Sequence, residues 1–439
     1  MAGFDKTKEL LSSVSSDICG AGGSVSTKIH FVQSDNEGFG IFAKEPLLSG
    51  ETLITVPYDL CITVDKIRNH VGLKNVLDEN AGLLDYPDEV LAIGLMHAKL
   101  FPSDACSWNH HVQTLPTEFN TTIYWSNEEL EELKGNSVYH LTLMMRRQID
   151  GDFNSIHGPL ADAYPEVLGG ATKELYTWAL SVVYSRSLEI TRKGKHTRCI
   201  VPVLDMANHN PHTGAVSYDT FRYNDDSDSI SLVAPSDLNT GDECYAVYGI
   251  YPNSKLIYNY GFVVLNNPHR SIDMWVRLPP SSPGFETKNA FLQSNPLTRN
   301  QTYDFKGTIR PGYVSPALLA TIRVIQAEEG ELPLLQRAVQ GRMLSVRNEA
   351  AAYVSLRNFI TNRMDVERAQ ADVTKLGQML LDDVDYGNRL RCALIVRVEE
   401  RKLLEETLVM VNRWISELES QGGAYIPPDS PNTHDAEAT

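Results

Sequence analysis

No stretch of this sequence approaches the ~18 consecutive apolar residues that would read as a membrane-spanning helix. Residues 1–23 hold no apolar core and carry Asp5, Glu9 and Asp17. Neither a secretory signal nor an acid-poor transit peptide is therefore expected there. Cysteine is sparse. Cys19, Cys61, Cys106, Cys199, Cys244 and Cys392 never fall at C-x-x-C spacing, so neither a zinc ribbon nor a disulfide framework is indicated. Reduced thiols fit a cytoplasmic or nuclear protein, and the sequons at Asn120 and Asn300 are then chance matches. Positive charge is also short. Lys and Arg number 39 against 56 Asp and Glu, a formal charge of −17. Phosphate binding needs a basic stripe, so nucleic acid is not an expected partner. An acidic surface attracts a basic protein or merely keeps the chain soluble, and composition does not choose between them. His196 and His212 make no H-E-x-x-H set, so no metal is expected. Gly38-Phe-Gly40 lacks the third glycine and the helix start of a dinucleotide fingerprint. There is no internal repeat.

What is present is enough chain for two or three domains: 439 residues, 42% of them hydrophobic. Residues 28–63 read as β, with Ile29–Val32, Glu37–Ala43 and Leu53–Val56 separated by glycine turns. Residues 64–180 read as helical. Ser126-Asn-Glu-Glu129 predicts a capping box, followed by Leu130 and Leu133 and ended by Gly135. A helix over about 172–188 carries Leu175, Trp178, Ala179, Val182 and Val183 on one face, with Arg186 at the end of the same stripe. Such an arginine meets an anion or carbonyl groups, or it snorkels to solvent; spacing does not decide. Residues 199–265 return to strands and turns. Pro279-Pro-Ser-Ser-Pro-Gly284 is a linker or turn cluster, and residues 315–345 and 348–420 are helix-rich. Leu404, Leu408, Val411, Ile415 and Leu418 step by four and three, as a bundle helix does. The tail after Ser420 is expected to be disordered.

The chemistry concentrates in Val201-Pro-Val-Leu-Asp205-Met-Ala-Asn208-His209, followed by Val247-Tyr248-Gly249 and Asn259-Tyr260-Gly261-Phe262. Polar side chains that stop an apolar run need partners, because burying one unpaired costs ~2–7 kcal/mol. Any one of these features alone is bland: Asn-His can be an Asx turn, a glycine pair a turn, a tyrosine a core residue.

Together these segments resemble the SET-domain methyltransferases, specifically the Rubisco large-subunit methyltransferase-like group. The resemblance rests on Glu37-Gly-Phe-Gly-Ile-Phe-Ala43, Tyr184-Ser185-Arg186, Asp205-x-x-Asn208-His209, Tyr248 and Tyr260-Gly-Phe262. Leu115-Pro116 with Tyr124-Trp125-Ser126, and Arg347-Asn348-Glu349 with Leu403-Leu404-Glu405, extend it to about residue 420. It implies an α+β fold: a β-rich SET domain over 28–268 with a helical insertion near 64–180, then an all-α substrate-binding domain over 269–420. Residues 1–27 form an N-terminal segment. The implied cofactor is S-adenosyl-L-methionine, held by Glu37, Gly38, Phe39, Gly40, Arg186, Asn208, His209, Tyr248 and Phe262. Tyr248 takes the catalytic place. Ser185, Leu188, Leu204, Asp205, Ala246 and Tyr260 fall on the substrate side. The implied activity is N-methylation of lysine in a non-histone protein, such as a ribosomal protein or translation factor, by a monomer that needs neither membrane nor nucleic acid. In the histidine-modifying branch an asparagine and a tryptophan stand where this chain has Leu188 and Leu204, and apolar residues suit a lysine stem. The alternatives are actin-type histidine methylation and a catalytically silent SET-fold binding module.

Overall fold

Among the described residues, alternation of apolar residues builds four small antiparallel sheets. The computed structural model describes residues 2–34, 38–103, 108–213, 220–299, 304–364, 366–381 and 389–420. The glycine-rich N-terminal motif is a hairpin of β2 (Ile29–Ser34) and β3 (Gly38–Ala43), in which Gly40 sits opposite Val32. A four-stranded sheet runs β1 (Ser24–Val25), β4 (Thr52–Pro57), β9 (Ser229–Val233), β8 (Phe221–Asn224). A three-stranded sheet runs β5 (Ile62–Thr63), β7 (Lys195–Ile200), β6 (Ser187–Arg192).

These sheets belong to the first of two compact units, made of Met1–Glu131, Val138–Pro268 and Asp385–Cys392. Ile41, Ile54, Val56, Val201, Leu204 and Ile230 form its β core. The helix Ala2–Gly20 adds Leu11, Val14 and Ile18 to that core. Their three- and four-residue spacing was in the sequence, but the sequence reading gave residues 1–27 no helix. A second core lies in the helical insertion, where Pro87–Leu100 buries nearly its whole circumference beside Lys173–Arg186.

The capping box forms as its sequence predicts. Glu129 accepts from Ser126 N–H at 2.6 Å, and the Ser126 hydroxyl accepts from Glu129 N–H at 3.1 Å. Gly135 then turns the chain at φ +89°. Ser126→Ala is expected to lower unfolding free energy by ~1 kcal/mol in urea titrations, the usual value of such a cap.

The second unit comprises Glu132–Ser137, His269–Val384 and Ala393–Thr439. It is mostly helical, as expected, but it is not all-α. β10 (Ile272–Arg277), β11 (Asp304–Arg310) and β12 (Tyr313–Val314) form an antiparallel sheet. Ile272, Met274 and Val276 point to its core by strict alternation. The helix Pro316–Ile325 lies directly on this sheet: a Cβ on Gly307 would come within 2.3 Å of Leu318 Cβ. The Pro279–Gly284 cluster is a turn within this unit, leading into the helix Phe285–Ser294. Arg323 and Glu349 form a buried bidentate pair at 2.8 and 2.6 Å. The expected stripe of Leu404, Leu408, Val411, Ile415 and Leu418 faces the core from the helix Arg389–Ser420.

No helix among the described residues is long and apolar enough to cross a membrane, and no group of His, Cys, Asp or Glu among them could hold a metal. The five described cysteines are free. The tail after Ser420 and Glu37 lie outside the described residues.

Candidate cofactor and catalytic site

The site is assembled where three chain segments meet inside the first unit. Thr172 caps the helix Lys173–Arg186 by accepting from Leu175 N–H, and the helix ends as Ser187 turns extended. Arg186 is therefore the last helical residue. β7 ends at Ile200, and Val203 then adopts φ +69°, ψ −32°. Positive φ strains a β-branched side chain, at a cost of ~1–3 kcal/mol. That bend starts the short helical turn Leu204–Met206 carrying Asp205.

Arg186 Nη1 donates to the Asp205 carbonyl at 2.7 Å and to its carboxylate at 3.2 Å. His111, from the helix Asn109–Thr114, approaches the same carboxylate oxygen through Nε2 at 3.4 Å. The Asp205 side chain is 3% exposed and that of His111 1%. Burial is the largest influence on Asp205 and opposes its ionisation. His111 and Arg186 together outweigh it and hold the carboxyl below the ordinary range. Asp205 Oδ1 and Arg186 Nε are nonetheless buried without a hydrogen-bond partner. Buried polar atoms of this kind mark a place for a ligand or water.

Past this turn, Ala207, Asn208 and His209 tie down the third segment. Ala246 N–H donates to the Asn208 carbonyl at 2.7 Å, and Asn210 N–H to the Ala246 carbonyl at 3.1 Å. Tyr248 N–H donates to His209 Nδ1 at 3.1 Å, which leaves the ring proton to Nε2. The Tyr248 hydroxyl donates to the Ala207 carbonyl at 2.8 Å. The two rings stack at 5.1 Å. Burial raises the Tyr248 hydroxyl to about 12, with Arg186 pulling the other way. Tyr248 is thus a protonated donor at neutral pH.

Asn208 Nδ2 donates to Glu243 Oε1 at 2.8 Å. A Cβ at Gly40 would lie 2.7 Å from that oxygen and 3.3 Å from the Asn208 amide nitrogen. The glycine of the N-terminal hairpin therefore meets the Asn-His segment through bare backbone, as a cradle requires. The aromatic wall is completed by the turn after the helix Asn253–Asn259. Asn253 clamps Val264 by two hydrogen bonds of 2.7 and 2.8 Å. Gly261, at φ +84°, comes so close to Asn120 and Thr121 that a Cβ would sit 2.9 Å from their backbone. Asn120 Nδ2 donates to the Gly261 carbonyl, so this sequon is internally engaged. The result places Tyr260 5.1 Å from Tyr248, and Phe262 6.1 Å from His209.

This chain is similar to known proteins along most of its length. The family described as Rubisco LSMT substrate-binding matches residues 279–404. The solved structure of Rubisco LSMT bound to AdoMet superposes with a TM-score of 0.75 at 20% identity, covering 94% of this chain and 93% of that one. The chain has the fold of Rubisco LSMT. Rubisco LSMT bound to sinefungin and monomethyllysine is also similar, with a TM-score of 0.73 at 21% identity over 95% of this chain and 94% of that one. Among curated relatives, the actin-histidine N-methyltransferase of Mus musculus is 26% identical over 87% of this chain. That of Homo sapiens is 25% identical over 90%. The chain spans about two thirds of these relatives' own length, 65% and 68% respectively.

The residues singled out from sequence are placed differently from one another. Gly40, Asn208, His209, Tyr248, Tyr260 and Phe262 come together around the aromatic cluster. Gly38 and Phe39 lie on the same strand as Gly40, with Gly38 at φ +78°. Ser185 is half-buried and its hydroxyl donates to the Ser181 carbonyl.

Leu204, Asp205 and Ala246 need correction as substrate-side residues. Leu204 and Ala246 are fully buried, and Asp205 is enclosed by Arg186 and His111. They support the site from behind and present no side-chain surface to a substrate. Leu188 is half-buried on β6, opposite Cys199. Sequence reading missed His111, Glu243 and Tyr251. Tyr251 stacks on Tyr260 at 6.0 Å, and a Cβ at Gly249 would press on its ring. Tyr251 was legible as a third tyrosine beside Tyr248. His111 and Glu243 lie 94 and 38 positions from Asp205, and no local pattern links them to it.

Proposed function

We propose that this protein is an S-adenosylmethionine-dependent protein methyltransferase acting on a lysine side chain of a non-histone protein. The observation that carries the reading is the convergence of Tyr248 with an aromatic wall on one side and charged groups on the other. His209, Tyr260 and Phe262 form the wall; Arg186, Asp205 and Glu243 all influence the Tyr248 hydroxyl electrostatically. The residues suit the cofactor. Gly40 brings bare backbone against Glu243 and the Asn208 amide, and Arg186 Nε lacks a partner. Gly40, Asn208, His209 and Phe262 would hold it, with Arg186 at the charged end. Further support comes from the similarity to structures solved with AdoMet, and to one solved with lysine and AdoHcy.

The bound cofactor supplies a methyl group on a sulfonium, open to in-line displacement. The protein's part is alignment and dehydration, since positioning dominates such a barrier. Tyr248 cannot act as the base, because its hydroxyl stays protonated to about pH 12. It orients the reacting nitrogen and fixes the Ala207 carbonyl by its hydrogen bond. The tyrosines exclude water, which favours the neutral amine over the ammonium.

Lysine is favoured by Leu188, an apolar side chain that suits the four-carbon stem. Leu204 is buried and the half-buried Leu188 packs against the same β core, so this argument rests on the part of Leu188 that the core leaves uncovered. Histidine is the second reading, favoured by the actin-histidine N-methyltransferases among the relatives. A cytoplasmic or nuclear monomer belongs to the same proposal. Incubation with radiolabelled cofactor and a cell extract is expected to label a protein band, and mass spectrometry to find methyllysine in it. Methylhistidine would replace the lysine reading with the second one. No labelled band with any extract, from protein that binds the cofactor, would favour the silent binding module.

A further inference from the structure

We infer that Glu243 binds the cofactor directly, its carboxylate pairing with the α-ammonium at the amino-acid end of S-adenosylmethionine. This rests on the cofactor reading above and names one more residue of that site. Three observations lead to it. Glu243 Oε1 accepts from Asn208 Nδ2 at 2.8 Å and lies 2.7 Å from where a Cβ of Gly40 would be, so the carboxylate sits against both the glycine hairpin and the Asn-His segment. Glu243 is held there by backbone, through a bridge between residues 42 and 243 and by Cys244 N–H donating to the Ile41 carbonyl at 2.7 Å. Among the described residues its Oε2 takes no hydrogen bond, and the side chain is neither buried nor fully exposed.

Among the described residues, the charges nearby leave this role to Glu243. Asp205, the other carboxylate near Tyr248, is already engaged by Arg186 and His111. The cofactor carries two positive centres. The sulfonium must face the acceptor beside Tyr248, and the adenine suits the His209–Phe262 wall. The remaining cation is the ammonium, and the carboxylate on the Gly40 side matches it. Arg186 offers the complementary cation for the cofactor's own carboxylate.

A purely structural role for Glu243, holding the Asn208 amide, makes a different prediction. Glutamine keeps an oxygen that accepts the Asn208 hydrogen bond and removes the charge. Isothermal titration of the full chain with S-adenosylhomocysteine and with 5′-methylthioadenosine, which lacks the amino-acid end, separates the two. Glu243→Gln is expected to weaken S-adenosylhomocysteine about tenfold, the usual scale of one charge-assisted hydrogen bond. Its affinity for 5′-methylthioadenosine is expected to match that of the unsubstituted protein. Equal affinity for S-adenosylhomocysteine in both proteins overturns the assignment, and so does a parallel loss for both ligands. If the unsubstituted protein binds neither ligand, the cofactor reading itself fails and takes this one with it.

Discussion

Tyr248→Phe is expected to slow methyl transfer by ~10²–10³-fold, the scale seen when one preorganised donor is removed from a reacting centre. S-adenosylhomocysteine affinity should stay within about twofold, because the ring that stacks on His209 is retained and the backbone bond to His209 Nδ1 does not involve the side chain. The hydroxyl's bond to the Ala207 carbonyl is lost, which costs stability only ~1 kcal/mol. Single-turnover labelling alongside calorimetric binding distinguishes these effects. Full turnover in Tyr248→Phe would move the catalytic role to Tyr260, whose ring is 5.1 Å away.

Asp205→Ala is expected to be the most destabilising change in the site, by ~1–3 kcal/mol, because it leaves the half-buried Arg186 guanidinium without its carboxylate partner. Urea unfolding at neutral pH measures it. The effect carries a pH signature. The folded-state value of Asp205 lies below its unfolded value of ~3.9. Its contribution is therefore fully present above that value and is lost as pH falls through the folded one. The stability gap between the unsubstituted protein and Asp205→Asn should be constant near neutrality and should narrow below about pH 4. A gap unchanged at low pH would mean that packing rather than ionisation makes Asp205 important.

The two substitutions probe different layers of one site, and the sequence showed these layers unequally. Asn208, His209, Tyr248, Tyr260 and Phe262 were legible because they fall in short contiguous motifs that resemble those of SET-domain enzymes. Arg186 was legible as a misplaced charge at the end of an apolar stripe, but whether it met an anion or solvent was open. The structure answers with the Asp205 carboxylate, which His111 also approaches. His111 belongs to the helical insertion, and its approach to Asp205 depends on how that insertion packs. No periodicity encodes such a contact.

The same distinction explains the sheet in the second unit. Ile272-Asp-Met-Trp-Val-Arg277 alternates as a strand should, yet its partner Asp304–Arg310 lies nearly thirty residues on. A lone alternating segment amid helical sequence carries little weight until its partner is found. Leu204 fails in the opposite sense. Its position beside Asp205 suggested a substrate-facing side chain, but the bend at Val203 turns it into the β core.

By itself, then, the sequence determined the kind of chemistry: an Asn-His segment, two following tyrosines and a glycine hairpin, each specified by neighbours in the chain. Tertiary structure alone decided which charges stand behind that chemistry. Burial makes an unpaired charge costly, so Asp205 had to find partners, and Arg186 and His111 come to it from distant elements that packing brings together.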